Sequence, residues 1–258
     1  MDLQVKGRRA LITGSSSGLG EAIARLLAAE GADVVVHGRD VTRTEAVAKD
    51  IGAVAAIGDL ATDAGADAVA TAAGEIDILV NNAGAYDTVG WPESSAELWQ
   101  RTYNVNVVSG IRMIHRLVPG MRDRGWGRVV QIGGGLAMQP MAMQPHYNAT
   151  LAARHNLAVS LARELAGTGV TSNVVAPGAI LADATRDLLI GLAPSHDWGT
   201  EWPEIEANAV KSFVPNDIGR FGRPDEIAGA VAYLCSPYAD YVSGATLRVD
   251  GGAIRSVA

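Results

Sequence analysis

A short strand, a glycine-rich turn, a helix and a second strand follow one another near the start of the chain. Arg9–Thr13 is an apolar run that predicts a buried strand, and Asp33–His37 predicts the next one. Between them lie the turn at Gly14–Gly20 and a segment with apolar residues at helical spacing that ends at Gly31. This order within about 30 residues is typical of a mononucleotide-binding βαβ unit. Glycines let the backbone approach a pyrophosphate and the helix N-terminus offers it N–H groups, although such a turn can also serve only to join strand and helix.

The alternation of strands and helices continues to the end of the chain. Helices are expected at 42–50, 62–73, 96–124 (interrupted near 104–106), 147–165 and 224–235, and strands at 53–57, 76–80, 128–132, 170–175 and 246–249. This alternation predicts an α/β fold, a doubly wound parallel sheet of the Rossmann type with helices on both faces. Ligands then bind at the carboxyl ends of the strands. No linker-like stretch or charge block divides the chain, so we expect a single domain over residues 1–258.

Composition narrows the classes of function to consider. The formal charge is −7 and no run of Lys or Arg forms a basic patch, so we expect no nucleic-acid partner. No apolar run approaches the length of about 18 residues that a membrane helix needs, and the N-terminus lacks the apolar region of a signal peptide. Cys235 is the only cysteine, which fits a reducing compartment. We therefore expect a cytoplasmic protein without a membrane partner.

Several further motifs fall in order along the chain. They are TGxxxGxG at Thr13–Gly20, NNAG at Asn81–Gly84, Asn106 in a VN pair, Tyr147, PG at Pro177–Gly178 and a C-terminal run that begins GRFGRPDEI and ends in VDGG. In these motifs the chain resembles the short-chain dehydrogenase/reductase family over essentially its whole length. The resemblance implies an NAD(P)(H)-dependent oxidoreductase of a small-molecule substrate, with a substrate lid near 183–215. It also implies a homo-oligomer, a tetramer or a dimer, packed through the long helical regions 102–124 and 147–165.

The resemblance also assigns residues to the cofactor, and it implies no metal site. Gly14, Gly18 and Gly20 would wrap the pyrophosphate. Asp59 and Leu60 would contact the adenine, and the NNAG turn would support the cofactor. The full set of expected cofactor-binding residues is Gly14, Ser15, Ser17, Gly18, Leu19, Gly20, Arg39, Asp59, Leu60, Asn81, Ala83, Gly84, Pro177, Gly178 and Ile180.

The end of the second strand bears on the choice of cofactor. An NAD enzyme places a carboxylate there to accept a hydrogen bond from the ribose 2′-OH. Here Gly38 stands at that position and Arg39 follows, and an arginine can pair with the 2′-phosphate of NADP. Asp40 comes one residue too late and is expected to cap the next helix. We therefore predict NADP, with NAD possible, since Arg39 could instead be a solvated loop cation and Ser17 lacks the positive charge found in many NADP-preferring relatives.

The catalytic strip is where this sequence departs from the family. In the family a Tyr exchanges a proton with the substrate oxygen, a Ser hydrogen-bonds that oxygen, a Lys holds the nicotinamide ribose and lowers the Tyr pKa, and an Asn positions a water relay. By position, Tyr147 matches the Tyr and Asn106 matches the Asn. Gly134 stands at the Ser position, 13 residues before the Tyr, and Leu151 stands at the Lys position, four residues after it. Ala182 also replaces the Thr that ends the PGxIxT motif.

These losses act unequally on the two directions of the reaction. A tyrosine with an ordinary pKa near 10 is ionised in only about one molecule in a thousand at pH 7, about 4 kcal/mol from the base form. Alcohol oxidation needs tyrosinate as a base, whereas carbonyl reduction needs neutral tyrosine as an acid, so loss of the Lys should harm oxidation more. Gly134 removes a donor to the developing oxyanion, which by analogy costs roughly 3 kcal/mol more. An efficient ordinary alcohol dehydrogenase is therefore not expected.

Neighbouring residues could replace the lost groups, but each has a simpler structural explanation. His146 could donate a proton, although a residue at a helix start is more often solvated. The backbone N–H groups of Gly133–Gly135 could replace the serine hydroxyl. Thr150 is expected to be structural, and Arg154 and His155 are expected at the surface or in an interface.

The loop 136–145 and the lid offer apolar side chains. The loop carries MQP twice and three methionines, Met138, Met141 and Met143, which would form an adaptable apolar wall or pack in the core. Trp198 and Trp202 in the lid could close over an apolar ligand or only pack the lid down. An apolar substrate is therefore expected.

The leading hypothesis is an NADP-dependent short-chain oxidoreductase that reduces a carbonyl of an apolar small molecule, with Tyr147 as proton donor and Asn106 in support. One alternative is a non-redox lyase, isomerase or cyclase that uses Tyr147 as acid or base. Another is a catalytically silent nucleotide-binding protein.

Overall fold

Seven parallel strands form one sheet in the computed structural model, which describes residues 2–256 apart from the side chains of Asp183 and Ala184. The strands are β1 (Arg9–Ile12), β2 (Asp33–Gly38), β3 (Val54–Ile57), β4 (Ile78–Asn81), β5 (Gly127–Ile132), β6 (Val170–Pro177) and β7 (Thr246–Val249). Their spatial order is β3-β2-β1-β4-β5-β6-β7. Because β1 pairs with both β2 and β4, the strand order reverses there. The crevice at the carboxyl ends of such neighbouring strands is the usual place for a ligand.

Helices cover both faces of the sheet. They are α1 (Gly18–Ala29), α2 (Val41–Asp50), α3 (Asp63–Ala73), α4 (Ala96–Tyr103), α5 (Ser109–Asp123), α6 (Pro145–Glu164), α7 (Asp183–His196), α8 (Trp202–Phe213) and α9 (Pro224–Cys235). Leu11 and Ile12 are successive residues of β1, both fully buried, and they point to opposite faces. Ile12 joins the apolar cluster that includes residues of α1 and α9, and Leu11 joins the cluster that includes residues of α3 and α5. Both faces are therefore apolar, as expected of a buried parallel sheet.

The predicted fold class is confirmed, and the element bounds differ from the predicted ones in instructive places. The expected interruption of the long helical region is a π-helical segment, Asn104–Val108, between α4 and α5. Such segments often lie at functional sites. Helix α6 begins at Pro145 rather than at Tyr147, because proline fits the first helical turn. The region expected to be a lid contains α7 and α8, which share an apolar cluster of their own. None of the helices in the described part of the chain is long and apolar enough to cross a membrane.

Candidate active site

The glycine turn after β1 is held by the side chains of Asn82 and Thr13. The Asn82 amide donates to the carbonyl oxygens of Thr13 (2.9 Å) and Gly14 (3.0 Å). The Thr13 hydroxyl accepts from the N–H groups of Asn82 and Ala83, both at 3.0 Å. A Cβ at Gly20 would collide with Gly14 O and lie 2.5 Å from Asn82 Nδ2, so only glycine lets α1 come this close. Asn82 lies within the NNAG motif, but its side-chain role was not identified from the sequence.

His37 supports the same turn from the end of β2. Its Nδ1 accepts from the Gly14 N–H (2.9 Å) and its Nε2 lies 3.1 Å from Gly58 O, which assigns the tautomer with the proton on Nε2. Burial lowers the pKa of His37, so the ring is neutral at neutral pH, as its acceptor role requires. The Ser15 hydroxyl donates to Ile12 O (2.7 Å), and the Ser15 N–H donates to His37 O (2.8 Å). Neither donor of Ser15 is therefore left for a phosphate.

The N-terminus of α1 faces the crevice with unpaired donors. Its first backbone hydrogen bond runs from Glu21 N–H to Ser17 O (3.2 Å). By helix geometry, the N–H groups of Gly18, Leu19 and Gly20 then have no intrahelical partner. The Ser17 side chain makes no capping bond. A helix end of this kind favours an anion such as a pyrophosphate, and the close-packed glycines leave it an open approach.

The end of β2 has no room for the carboxylate of an NAD site. A Cβ at Gly38 would collide with Thr44 Oγ1 and lie 2.8 Å from Ser16 Oγ. Arg39 is exposed and makes no hydrogen bond or ion pair with another described residue. The Asp40 side chain accepts from a backbone N–H in the first turn of α2 (2.9 Å), as predicted. Arg39 thus has no partner among the described residues, and Gly38 puts no carboxylate at the end of β2. This arrangement fits the 2′-phosphate of NADP.

The remaining residues expected at the cofactor lie just beyond β3, β4 and β6. They are Asp59 and Leu60, Ala83 and Gly84 after Asn81, and Gly178 and Ile180 after Pro177. The side chain of Asn81 is buried and turned towards α5, where a Cβ at Gly110 would lie 3.2 Å from Asn81 Nδ2. The set therefore gathers at one edge of the sheet, with Asn81 contributing its backbone there.

Tyr147 and Asn106 are linked through Thr150. The Asn106 amide donates to Ala85 O (2.9 Å) and to Thr150 Oγ1 (3.1 Å), and its Oδ1 accepts from Ala85 N–H (2.7 Å). The Thr150 hydroxyl donates in turn to Tyr147 O (2.8 Å). Both amide protons of Asn106 are thus used within the protein, and Thr150 is structural, as predicted.

Gly134 and Leu151, the residues expected at the family's serine and lysine positions, are in contact. Leu151 is buried, and a Cβ at Gly134 would lie 2.9 Å from Leu151 Cδ1. The φ of Gly134 is 177°, an extended conformation that any residue adopts. The leucine side chain, and not the backbone, therefore crowds a serine at position 134.

Most backbone N–H groups of the glycine strip, Gly133–Gly135, already make hydrogen bonds within the protein. Gly133 N–H donates to Val175 O (2.8 Å) and Gly134 N–H donates to His155 Nε2 (3.4 Å). Gly135 N–H makes no hydrogen bond with another described residue. Of the three candidate replacements for the serine hydroxyl, only this last one has no partner in the described part of the chain.

The prediction of a surface or interface position was wrong for Arg154, which is buried, whereas His155 is only partly buried on the same helix. His155 is half-buried, and a Cβ at Gly133 would lie 2.7 Å from its Cδ2, so the ring packs directly on the glycine strip. Burial lowers the pKa of His155. Arg154 is only 6% exposed and donates to three backbone carbonyls. Its spacing of seven residues from Tyr147, two helical turns, was the available signal that both lie on one face.

His146 is also not solvated, contrary to its predicted position. Its side chain is fully buried with its ring 6.3 Å from that of Trp99, edge to face. Neither ring nitrogen has a hydrogen-bond partner among the described residues. Apolar packing therefore buries His146 in the first turn of α6, although residues at a helix start are usually exposed.

The Tyr147 hydroxyl is protonated at neutral pH. Burial raises the pKa of Tyr147 above its ordinary value of 10.0, the positive charge of Arg154 opposes that rise, and Tyr86 adds to it. The rings of Tyr86 and Tyr147 are 6.1 Å apart. The hydroxyl is thus in the form that can donate a proton.

Exposed apolar side chains lie on the two loops next to Tyr147. Tyr86, Trp91, Met141 and Met143 are between 45% and 71% exposed. Their two loops are joined by a hydrogen bond from the backbone N–H of Gln144 to a carbonyl in the other loop (2.9 Å). Met138, the third methionine, instead packs against the core. The core packing expected of the loop is therefore present at Met138, whereas Met141 and Met143 are exposed and their role as an apolar wall stays a prediction.

The two tryptophans of the region expected to be a lid differ in their packing. Trp198 is buried, with its ring 5.2 Å from Phe213 and 4.6 Å from His196, so it packs α7 and α8 together. Trp202 is half-buried, and the Arg186 guanidinium lies over its ring at 4.9 Å. Trp198 is therefore engaged within the lid and is not placed to cover a ligand.

Comparison with known proteins identifies the family. A family model described as short chain dehydrogenase matches residues 8–190. The chain is a member of the short-chain dehydrogenase family. The expected family resemblance is thereby confirmed, and it places the chain among oxidoreductases.

Relatives within the short-chain dehydrogenase family cover the whole chain. YvaG of Bacillus subtilis, an uncharacterized oxidoreductase, is 38% identical over 100% of both chains. The 3-oxoacyl-[acyl-carrier-protein] reductase FabG of Vibrio cholerae is 34% identical and covers 97% of this chain and 98% of its own. The crystal structure of L-sorbose reductase from Gluconobacter frateurii, complexed with NADPH and L-sorbose, is 35% identical, covers 100% of both chains and superposes with a TM-score of 0.90.

Proposed function

We propose that this short-chain dehydrogenase is an NADP(H)-dependent reductase of a carbonyl group in an apolar small molecule, with Tyr147 as the proton donor. The observation that carries the proposal is the protonation state of Tyr147. Burial raises the pKa of its hydroxyl, which disfavours the tyrosinate that alcohol oxidation needs and keeps the acid that carbonyl reduction needs. The reductases among the relatives support the same direction.

The cofactor side of the proposal rests on the fit of the crevice. The glycine turn and the N-terminus of α1 would hold the pyrophosphate, and Arg39 would pair with the 2′-phosphate. The lack of space at Gly38 supports NADP over NAD, and so does the NADPH in the complex of the sorbose reductase. When bound, the reduced nicotinamide supplies a hydride to the carbonyl carbon.

The substrate part of the proposal rests on the exposed apolar side chains near Tyr147. Four exposed apolar side chains, Tyr86, Trp91, Met141 and Met143, offer little to a polyol but suit an aromatic or aliphatic ketone. Methionines also adapt to ligands of different shape. The lid formed by α7 and α8, and a homo-oligomer packed through α5 and α6, belong to the same proposal.

Nucleotide titration followed by a turnover assay tests the proposal. NADPH and NADH are titrated against protein fluorescence, and absorbance loss is then followed with aromatic ketones, quinones, L-sorbose and a 3-oxoacyl thioester. We expect tighter binding of NADPH and turnover of the apolar carbonyls. Tyr147→Phe should lower kcat by roughly 10²–10⁴-fold while NADPH affinity stays unchanged.

Two outcomes would refute the reductase. NADPH binding without turnover of any carbonyl would favour the silent or non-redox alternatives. Turnover by Tyr147→Phe equal to that of the wild type would show that Tyr147 is not the proton donor. Failure to bind either nucleotide would leave only a function that needs no nucleotide cofactor. Preference for L-sorbose over the ketones would refute the apolar substrate alone.

A further inference from the structure

Arg154 is a buried cation without a carboxylate partner. Its Nε donates to Asn106 O (2.5 Å), its Nη1 donates to Ile132 O (2.7 Å), and its Nη2 donates to Ala83 O. No carboxylate of residues 2–256, the Asp183 side chain being outside the description, forms an ion pair with it. Three carbonyl dipoles therefore hold a charge that nothing neutralises.

A guanidinium is a costly choice for this position. Removal of a charge from water is unfavourable unless a counter-ion compensates, and burial accordingly lowers the pKa of Arg154. The other fully buried arginine, Arg128, has the compensation that Arg154 lacks, because it pairs with Asp240. A residue that only joined backbone segments would not need to carry a charge into the interior.

The surroundings of Arg154 are those of the site. Ala83 belongs to the NNAG turn, Asn106 to the π-helical segment and Ile132 to the end of β5, just before the glycine strip. A Cβ at Gly84 would lie 3.6 Å from Arg154 Nη2, and no side chain separates the two. A guanidinium has five N–H donors, so two remain after these three bonds.

The charge of Arg154 acts on Tyr147. The two residues are seven positions apart on one face of α6, and Leu151, at the family's lysine position, lies between them at a distance of one turn from each. Arg154 is the group that lowers the pKa of Tyr147, against burial and against Tyr86. The positive charge on α6 thus lies at Arg154, one turn after Leu151, where the family is expected to have its lysine.

We propose that Arg154 is a positioning residue of the reaction, whose buried guanidinium supplies beside Tyr147 the positive charge that Leu151 does not and ties Ala83, Asn106 and Ile132 together around it. This role in the reaction rests on the proposed function. During reduction a bound reduced nicotinamide would supply the hydride to the carbonyl carbon and would itself be oxidised. The O–H bond of Tyr147 breaks, its proton forms the O–H bond of the alcohol, and the electron pair stays on the phenolate oxygen. Arg154 stabilises that phenolate until solvent returns a proton.

The ionisation of Tyr147 is measurable without turnover. Ultraviolet difference titration of the apoprotein, with the Tyr147→Phe variant subtracted, isolates this tyrosine from Tyr86 and the others. Arg154→Met should raise the titration midpoint, because it removes the charge that lowers the pKa of Tyr147, and Arg154→Lys should keep most of the wild-type value. The matched control is Arg163→Met, which removes the same charge from an exposed position on the same helix and should leave the midpoint unchanged.

A purely structural role gives a different pattern. In that case Arg154→Met would lower the melting temperature without moving the Tyr147 midpoint, which would overturn the proposal. If Arg154→Met does not fold, Arg154→Gln and Arg154→Lys supply the neutral and charged comparison, and equal midpoints in these two would also overturn it. Absence of turnover in the wild type, with the midpoint shift present, would refute the reductase proposal while supporting the electrostatic role of Arg154.

Discussion

Gly134 and Leu151 should be energetically coupled, and a double-mutant cycle measures this directly. In Gly134→Ser the new Cβ lies 2.9 Å from Leu151 Cδ1, and Leu151 is only 2% exposed, so it has no open space to move into. Overpacking of this kind costs about 1–3 kcal/mol. Leu151→Ala alone should cost about 2–5 kcal/mol through the cavity it leaves.

The double variant should be more stable than the sum of the single changes predicts. The three heavy atoms nearest to the Gly134 Cβ position all belong to Leu151, and the third lies 3.9 Å away, so removal of the leucine opens the whole space to the serine. The serine then fills part of the cavity. We expect a favourable coupling of about 1–3 kcal/mol. Each kcal/mol corresponds to a change of roughly 2–4 °C in melting temperature.

Thermal unfolding of the wild type, both single variants and the double variant is the assay. Gly229→Ser is the matched control, because a Cβ there meets no atom within 4 Å and the residue is exposed. Its effect should be the same in the wild-type and Leu151→Ala backgrounds. Additivity of Gly134→Ser and Leu151→Ala within about 0.5 kcal/mol would show that the leucine does not exclude the serine.

Three further changes test the cofactor edge and the support of the site. Arg39→Glu should weaken NADPH binding by more than about tenfold and NADH binding much less, because it removes a charge-assisted contact to the 2′-phosphate; equal losses in a fluorescence titration would contradict this. His37 accepts from Gly14 N–H only when neutral, and burial lowers its pKa from the ordinary 6.5. Its stabilisation is therefore complete above pH 6.5 and is lost as the pH falls through the lower folded-state value, so His37→Asn should flatten the acid side of a plot of melting temperature against pH. Thr150→Val leaves an amide proton of Asn106 unpaired and should cost about 1–3 kcal/mol in thermal unfolding, with a lower kcat, whereas Thr150→Ser should restore both.

The sequence was sufficient to predict the backbone features around the site, because these depend on local patterns. A glycine turn between strand and helix, the cap at Asp40 and the interruption near Asn106 each follow from a few adjacent residues. Arg154 could not be placed in this way. A charged residue on a helix is usually exposed, and the carbonyls that hold Arg154 lie 22, 48 and 71 residues away along the chain. Only the folded sheet brings Ala83, Asn106 and Ile132 to one point.

On the Arg154 proposal, Gly134 and Leu151 form one coupled feature rather than two independent ones. A lysine at position 151 would stand three residues before Arg154 on one helix face, which places two buried cations side by side. A leucine there avoids that repulsion, and its side chain occupies the space that a serine at position 134 would need. If Arg154 holds the charge, an apolar residue at 151 and a glycine at 134 follow from it. On this proposal the segment around Tyr147 is an alternative way to place a proton donor, in which the cation lies one turn further along α6 and the apolar packing at 134 and 151 accommodates it.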